Sequence, residues 1–251
     1  NFFSLFKRKL IYNLKKKKKI KKKKKKNKLK IKKKKKNHTD NISFNTLDEL
    51  FHYYGSDKAD VFKKTKSKGH GFSNFYENKL KDIKDKKINI LEIGSFAGAS
   101  AAAFSKYFPN SKIFCFDINI SNFKYKSKNI YVFGIDINDE KKIEKTLNNI
   151  FLKHDIREFD IIIDDGSHNL SDILISLKLF FKVLKKKGCF IIEDFKHPNY
   201  YIYNKNIKHI LIDEFLKNLE NKKISPSSVF TDNDQKELAN NIEKIEYFKG
   251  I

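Results

Sequence analysis

The sequence predicts an α/β fold in which a doubly wound, mostly parallel sheet is covered by helices on both faces. Three observations predict it. From residue 88 onward, short apolar runs alternate with helix-period amphipathic segments, the pattern of repeated βαβ units. The runs are apolar at nearly every position, as strands buried on both faces are. Glycines and acids stand at the ends of the runs, where an open parallel sheet presents its ligand crevice.

The residues before this alternation differ in kind. Lys7, Arg8, Lys9 and the 18 lysines between Lys15 and Lys36, interrupted by Ile20, Asn27, Leu29 and Ile31, precede the first acid, Asp40. Of 55 basic residues, 34 then remain against 30 acidic ones. The net charge of +25 therefore belongs to the arm, and the rest of the chain is close to neutral. A lysine run that repels itself and buries no apolar surface is expected to be disordered. Residues 1–14 mix Phe2, Phe3, Phe6, Leu10 and Ile11 with basic side chains. They read either as a poorly ordered start or as a short amphipathic anchor. Residues 7–36 leave contact with anionic membrane or with nucleic acid open. The expected organisation is a disordered polylysine arm over 1–40 and one domain over 41–251. That domain has a helical lead-in at 44–82 and a Rossmann-like core at 86–251.

Cys115 and Cys189 each sit inside an apolar run, which suits buried thiols in a reducing compartment rather than a disulfide. No apolar run reaches bilayer length and no secretory signal is visible. The expected location is cytoplasmic, with the arm offering a peripheral contact at the inner membrane. The sequence has no methionine, which leaves open whether residue 1 is the true start. Ile251 falls about where the last strands should finish, which leaves the other end open as well.

Within the lead-in, Thr46-Leu47-Asp48-Glu49 is a capping box that opens a helix with Leu47, Leu50 and Phe51 inward, and Gly55 ends it. A second helix is expected over 74–81. Strands are expected at 88–93, 112–117, 130–135, 159–163 and 188–192. Helices are expected at 98–107, 139–152 and 169–184. Beyond residue 195 the pattern weakens, and a helix near 208–220 and a strand near 242–248 are expected.

Two groups of residues carry chemistry. Glu92-Ile93-Gly94-Ser95-Phe96-Ala97-Gly98 ends the first strand. Its glycines allow a sharp turn and close approach to a ligand, and the spacing is not that of a dinucleotide cradle. Glu92 suits an amino group, Asp117 at the second strand end can accept two ribose hydroxyls, and Asp136 follows the third strand beside the expected place of an adenine. Each has a plainer alternative: a surface strand end, a helix cap and a turn residue. Three acids in order at successive strand ends favour the site. The second group is Asp164-Asp165-Gly166-Ser167-His168 after the fourth strand and Glu193-Asp194 after the fifth. Adjacent strand ends should bring Asp165, Glu193 and Asp194 together near His168. Clustered carboxylates repel unless a cation or proton is shared. Oxygen donors with open positions suit Mg2+. His168 could take a proton from a hydroxyl acidified by the metal. The plainer alternative is a helix-capping His168 and acids paired with surface lysines.

With those residues in view, the chain resembles the metal-dependent sugar O-methyltransferases of the macrocin and mycinamicin type, a group of class I S-adenosylmethionine-dependent methyltransferases. The resemblance spans roughly residues 44–248. It is carried by Tyr54-Gly55-Ser56-Asp57-Lys58, His70, Phe75-Tyr76-Glu77, LEIG at 91–94, YFPNSKIFCFDIN at 107–119, FDIIIDDGSH at 159–168 and GCFIIEDF at 188–195. It implies S-adenosylmethionine and Mg2+ as cofactors, with Asp165, Glu193 and Asp194 on the metal and His168 as general base. Glu92, Gly94, Ser95, Asp117, Asp136 and Asp164 are the candidates for cofactor contact, and Tyr54 and Lys58 are expected near the active-site mouth. The implied reaction is in-line methyl transfer to one hydroxyl of a sugar-like diol. The chain departs from the family at Ser95, Phe96 and Ala97, where smaller residues are common, and at Ile135, where a glutamine is common. Rival readings are oxygenase- or hydrolase-like use of the same acids and histidine, and an RNA-binding protein or RNA methyltransferase led by the arm. Relatives often form homo-oligomers.

Overall fold

The computed structural model describes residues 44–196, 210–248 and 250–251. The polylysine arm over 1–40 lies outside these described residues, as does the start of the helix expected near 208–220.

Helix α1 (Leu47–Tyr54) opens on the capping box: the Thr46 side chain accepts from the Glu49 N–H, and the Glu49 carboxylate returns to the Thr46 N–H. Gly55, at φ 79°, closes it in the left-handed conformation that only glycine adopts without a Cβ penalty. Helix α2 (Ser73–Leu80) packs beside it. The sheet consists of β1 (Asn89–Ile93), β2 (Lys112–Asp117), β3 (Ile130–Gly134), β4 (Phe159–Asp164) and β5 (Leu184–Ile192). Its order is β3-β2-β1-β4-β5 and every pairing is parallel. Helices α3 (Ala99–Tyr107), α4 (Glu140–His154) and α5 (Leu170–Phe181) alternate with the strands. Helices α6 (Ile212–Glu220) and α7 (Asp232–Asn241) follow.

Successive strand residues point to opposite faces, and both faces are packed. Ile90, Ile113, Cys115, Ile161 and Ile163 join α1, α2 and α3 in one core around Phe51, Tyr76 and Phe104. Leu91, Phe114, Phe116, Phe159 and Ile162 join α4 in the other. A third cluster seats α6 and α7 on α5 through Phe215, Phe230 and Leu238. Strand order reverses between β1 and β4, so the crevice of this sheet lies at the carboxyl ends of those strands.

The expected strand near 242–248 is not formed: among the described residues that segment has no regular structure. Its apolar residues Ile242, Ile245 and Phe248 recur every third position, which does not match the two-residue period of a half-buried strand. Phe248 packs on Phe75 instead. Helix α7 was not expected. It buries little apolar surface, but Thr231 and Asp234 form a reciprocal capping box that marks its start. No helix among the described residues is long and apolar enough to cross a membrane.

Candidate active site

The turn after β1 brings the strand ends together. Gly94 has φ 83°, and a Cβ there would stand 2.0 Å from the backbone oxygen of Asp165. Only glycine lets the β1 and β4 turns meet this closely. Gly98, at φ 76°, starts α3 directly beneath the Phe123 ring, 2.4 Å from where a Cβ would stand. Between the two glycines, Phe96 is exposed and left-handed at φ 41°, and its N–H donates to Asp117 Oδ2 at 2.6 Å. Asp117 Oδ1 accepts from the Asn119 N–H at 2.7 Å. Each oxygen of Asp117 keeps a further lone pair. Glu92 is wholly buried; one of its oxygens accepts from Ser100 Oγ, and the other has no hydrogen-bond partner. Burial raises its pKa, with Lys58 and Ser100 opposing. Ser95 is buried, and its hydroxyl donates to the Glu92 carbonyl. A buried carboxylate oxygen left open and an aspartate with spare acceptor capacity fit a ligand that carries an amino group and a ribose.

At the other side of the crevice, Asp165, His168 and Asp194 each offer a ligand atom, and these atoms lie within 4.8 Å of one another. His168 (φ 60°) and Asp194 (φ 49°) are both left-handed non-glycine residues. Such backbone costs on the order of 1–2 kcal/mol per residue and persists where the surroundings over-determine it, often at functional sites. His168 precedes α5, whose N-cap is Asn169. His70 Nδ1 stands 3.3 Å from Asp194 Oδ2, and the Asp194 N–H donates to the Gly250 carbonyl at 2.7 Å.

Glu193 lies outside this group of three. Its Oε2 meets Lys58 Nζ at 2.5 Å, and its Oε1 accepts from Tyr76 Oη. Lys58 also reaches Asp165 Oδ2 at 2.6 Å. Burial alone would lower the Lys58 ammonium, but Asp165, Glu193 and Glu92 outweigh it and hold its pKa well above that of an ordinary lysine. Burial also raises the carboxyls of Glu193 and Asp194, and the neighbouring Asp165 raises both further. One lysine therefore does not neutralise the acids gathered here. A site with this surplus of carboxylate fits a hard divalent cation.

The remaining expected residues sit apart. Asp164 is buried and spent on its own turn: Oδ1 accepts from the Gly166 N–H, Oδ2 has no partner, and burial pushes its pKa up to about 7. Asp136 is exposed and accepts from the Asn138 N–H two residues on, an aspartate turn. Tyr54 stacks edge-on against Tyr53 and Tyr125, and its carbonyl accepts from Tyr125 Oη. Lys58, expected at the mouth, is instead buried among the acids, because its ammonium is the one cation pairing Asp165 and Glu193. Sequence reasoning gave no role to Tyr76 or His70, although both fall in the quoted motif stretches; contacts made over a hundred residues away carry no local pattern.

No family model matches the chain. It is 28% identical over 167 residues to the L-olivosyl-oleandolide 3-O-methyltransferase of Streptomyces antibioticus, covering 59% of this chain and 36% of that protein. It is 26% identical over 132 residues to the mycinamicin VI 2''-O-methyltransferase of Micromonospora griseorubida, covering 50% of this chain and 31% of that protein. The chain thus spans about a third of the length of these curated relatives. Among solved structures it is similar to the MycE methyltransferase of the mycinamycin biosynthetic pathway in complex with Mg and SAH. The TM-score is 0.62 at 18% identity, over 83% of this chain and 53% of that one. The same enzyme in complex with Mg, SAH and mycinamycin VI gives 0.57 at 21% identity, over 70% and 48%. The fold is that of the class I methyltransferases, and the curated relatives are sugar O-methyltransferases of the macrolide type.

Proposed function

We propose that this chain is an S-adenosylmethionine-dependent O-methyltransferase acting on a hydroxyl of a sugar or glycan-like small molecule, with Mg2+ held by the β4–β5 acids and His168 as general base. The observation that carries the reading is the meeting of Asp165, His168 and Asp194 at adjacent strand ends, across from the open oxygen of Glu92. The names of the curated relatives support the reaction class, and the Mg and SAH bound by the MycE relative support the two ligands.

When bound, S-adenosylmethionine supplies an electrophilic methyl group and Mg2+ lowers the pKa of a hydroxyl beside it. Glu92 and Asp117 hold the cofactor by its amino group and ribose. The Gly94 turn lets the backbone approach it closely. Asp165 and Asp194 hold the cation. His168, with a ring nitrogen within reach of both acids, accepts the proton of the attacking hydroxyl. Alignment and fixed charge supply most of the acceleration.

The test is transfer of labelled methyl from S-adenosylmethionine to a panel of glycosylated acceptors, with calorimetric cofactor binding alongside. His168→Ala is expected to lose about 10²- to 10⁴-fold in turnover, the usual worth of a general base, while its cofactor affinity stays within about threefold. Turnover like the wild type would remove His168 from the chemistry. Full activity in excess chelator would remove the metal.

A further inference from the structure

Among the acids at the crevice, Glu193 is the one whose two oxygens are both occupied by buried donors. Lys58, 1% exposed, takes Oε2, and Tyr76, fully buried, takes Oε1. Lys58 is itself fixed: its carbonyl accepts from the Phe72 N–H at 2.9 Å and from Ser73 Oγ at 3.3 Å. Asp165 gives one oxygen to Lys58 and still groups with His168 and Asp194, whereas Glu193 does not. A cation that recruited Glu193 would have to displace a buried ammonium from it and leave that ammonium unpaired, which is costly. Mg2+ commonly takes only one or two protein carboxylates and keeps water or substrate oxygens for the rest.

We infer that Lys58 is a resident monovalent cation that removes Glu193 from the divalent-cation site, leaving Asp165 and Asp194 as its carboxylate ligands. Lys58 is then a positioning residue. It fixes Asp165 by one oxygen and sets the net charge that an incoming cation meets. The inference rests on the metal reading proposed above and changes its ligand set, since the family resemblance implies Glu193 as a third carboxylate ligand.

Removing the two partners together separates the roles, because it keeps the net charge of the site and leaves no buried charge unpaired. Mn2+ binding to the full chain, without S-adenosylmethionine, can be followed by electron paramagnetic resonance for the wild type, Lys58→Met and the pair Lys58→Met/Glu193→Gln. The pair variant is expected to bind Mn2+ within about fivefold of the wild type, as a charge-balanced replacement of a buried ion pair is often near neutral. Lys58→Met alone is expected to bind it at least about tenfold more tightly, with one positive charge gone from the site. If that single variant does not fold, the pair variant decides. A pair variant weakened by more than about fivefold makes Glu193 a ligand and overturns the inference. Equal affinity in Lys58→Met and the wild type overturns it too. If no protein in the set binds Mn2+, the metal reading itself fails and the inference falls with it.

Discussion

The two halves of the crevice are built from different parts of the chain. On the β1–β2 side the contacts are local: Ser100 reaches Glu92 across 8 residues, and the Phe96 N–H reaches Asp117 across 21. On the β4–β5 side they are long-range: Lys58 reaches Asp165 across 107 residues and Glu193 across 135, and Tyr76 reaches Glu193 across 117. One half is a strand–turn–helix unit that largely organises itself. The other takes its acids from two strand ends and the groups that hold them from the helical lead-in. The lead-in is therefore part of the site, and damage to it should reach the acids on β4 and β5 before it reaches the turn after β1.

The largest effect is expected where the halves touch. Gly94→Ala forces a Cβ against the Asp165 carbonyl and keeps a positive φ that alanine disfavours. Overpacking and left-handed strain together are expected to cost roughly 3–5 kcal/mol, read as a lowered midpoint in urea unfolding. Because the clash joins both turns, cofactor and Mn2+ affinities should fall together. Loss of one with the other intact would show that the halves are not coupled through this contact.

A smaller, one-sided effect is expected on each side. Tyr76→Phe removes a hydrogen bond to a buried charged group, worth about 2 kcal/mol, and should disturb Mn2+ binding while S-adenosylmethionine affinity stays within about threefold. Ser100→Ala should do the reverse, costing about 1 kcal/mol and weakening the cofactor rather than the metal. Calorimetry on both variants checks the pair. Equal disturbance of both ligands in either variant would erase the distinction between a local half and a long-range one.

The same division explains what could be read from the sequence. The β1 turn was legible because glycine, acid and helix start fall within a few residues of each other, and the acids of β4 and β5 because uniformly apolar runs end on them. Parallel register then brings Asp165 and Asp194 together with His168. The separation of Glu193 from Asp194 was not legible. Adjacent residues beyond a strand end look equivalent in sequence, and their difference here lies in Lys58 and Tyr76, which are distant in sequence, and in the left-handed backbone of Asp194. Helix α7 was missed for the opposite reason: its signal was local, but an aspartate stands at the third position where a glutamate is the usual mark.

The smallest effect is expected far from both halves. Lys178 on α5 pairs with Asp234 on α7 at 2.9 Å, and that contact, aided by the Thr231 N–H, holds the Asp234 carboxyl down at about 2. A carboxyl depressed in the folded state stabilises it above the ordinary aspartate range. The contribution is lost as pH falls from that range through about 2. The group is mostly exposed, so solvent screens the pair and the contribution is small. Asp234→Asn retains an oxygen for the Thr231 cap and removes only the charge. Its unfolding temperature should lie slightly below that of the wild type near neutral pH and converge with it in acid. Its affinities for Mn2+ and S-adenosylmethionine should match the wild type within about twofold, since screened surface charges this far from the crevice contribute little. A change in either affinity would mean that α5 transmits strain from α7 to His168 at its start, and that the β4–β5 half depends on the C-terminal helices as well as on the lead-in.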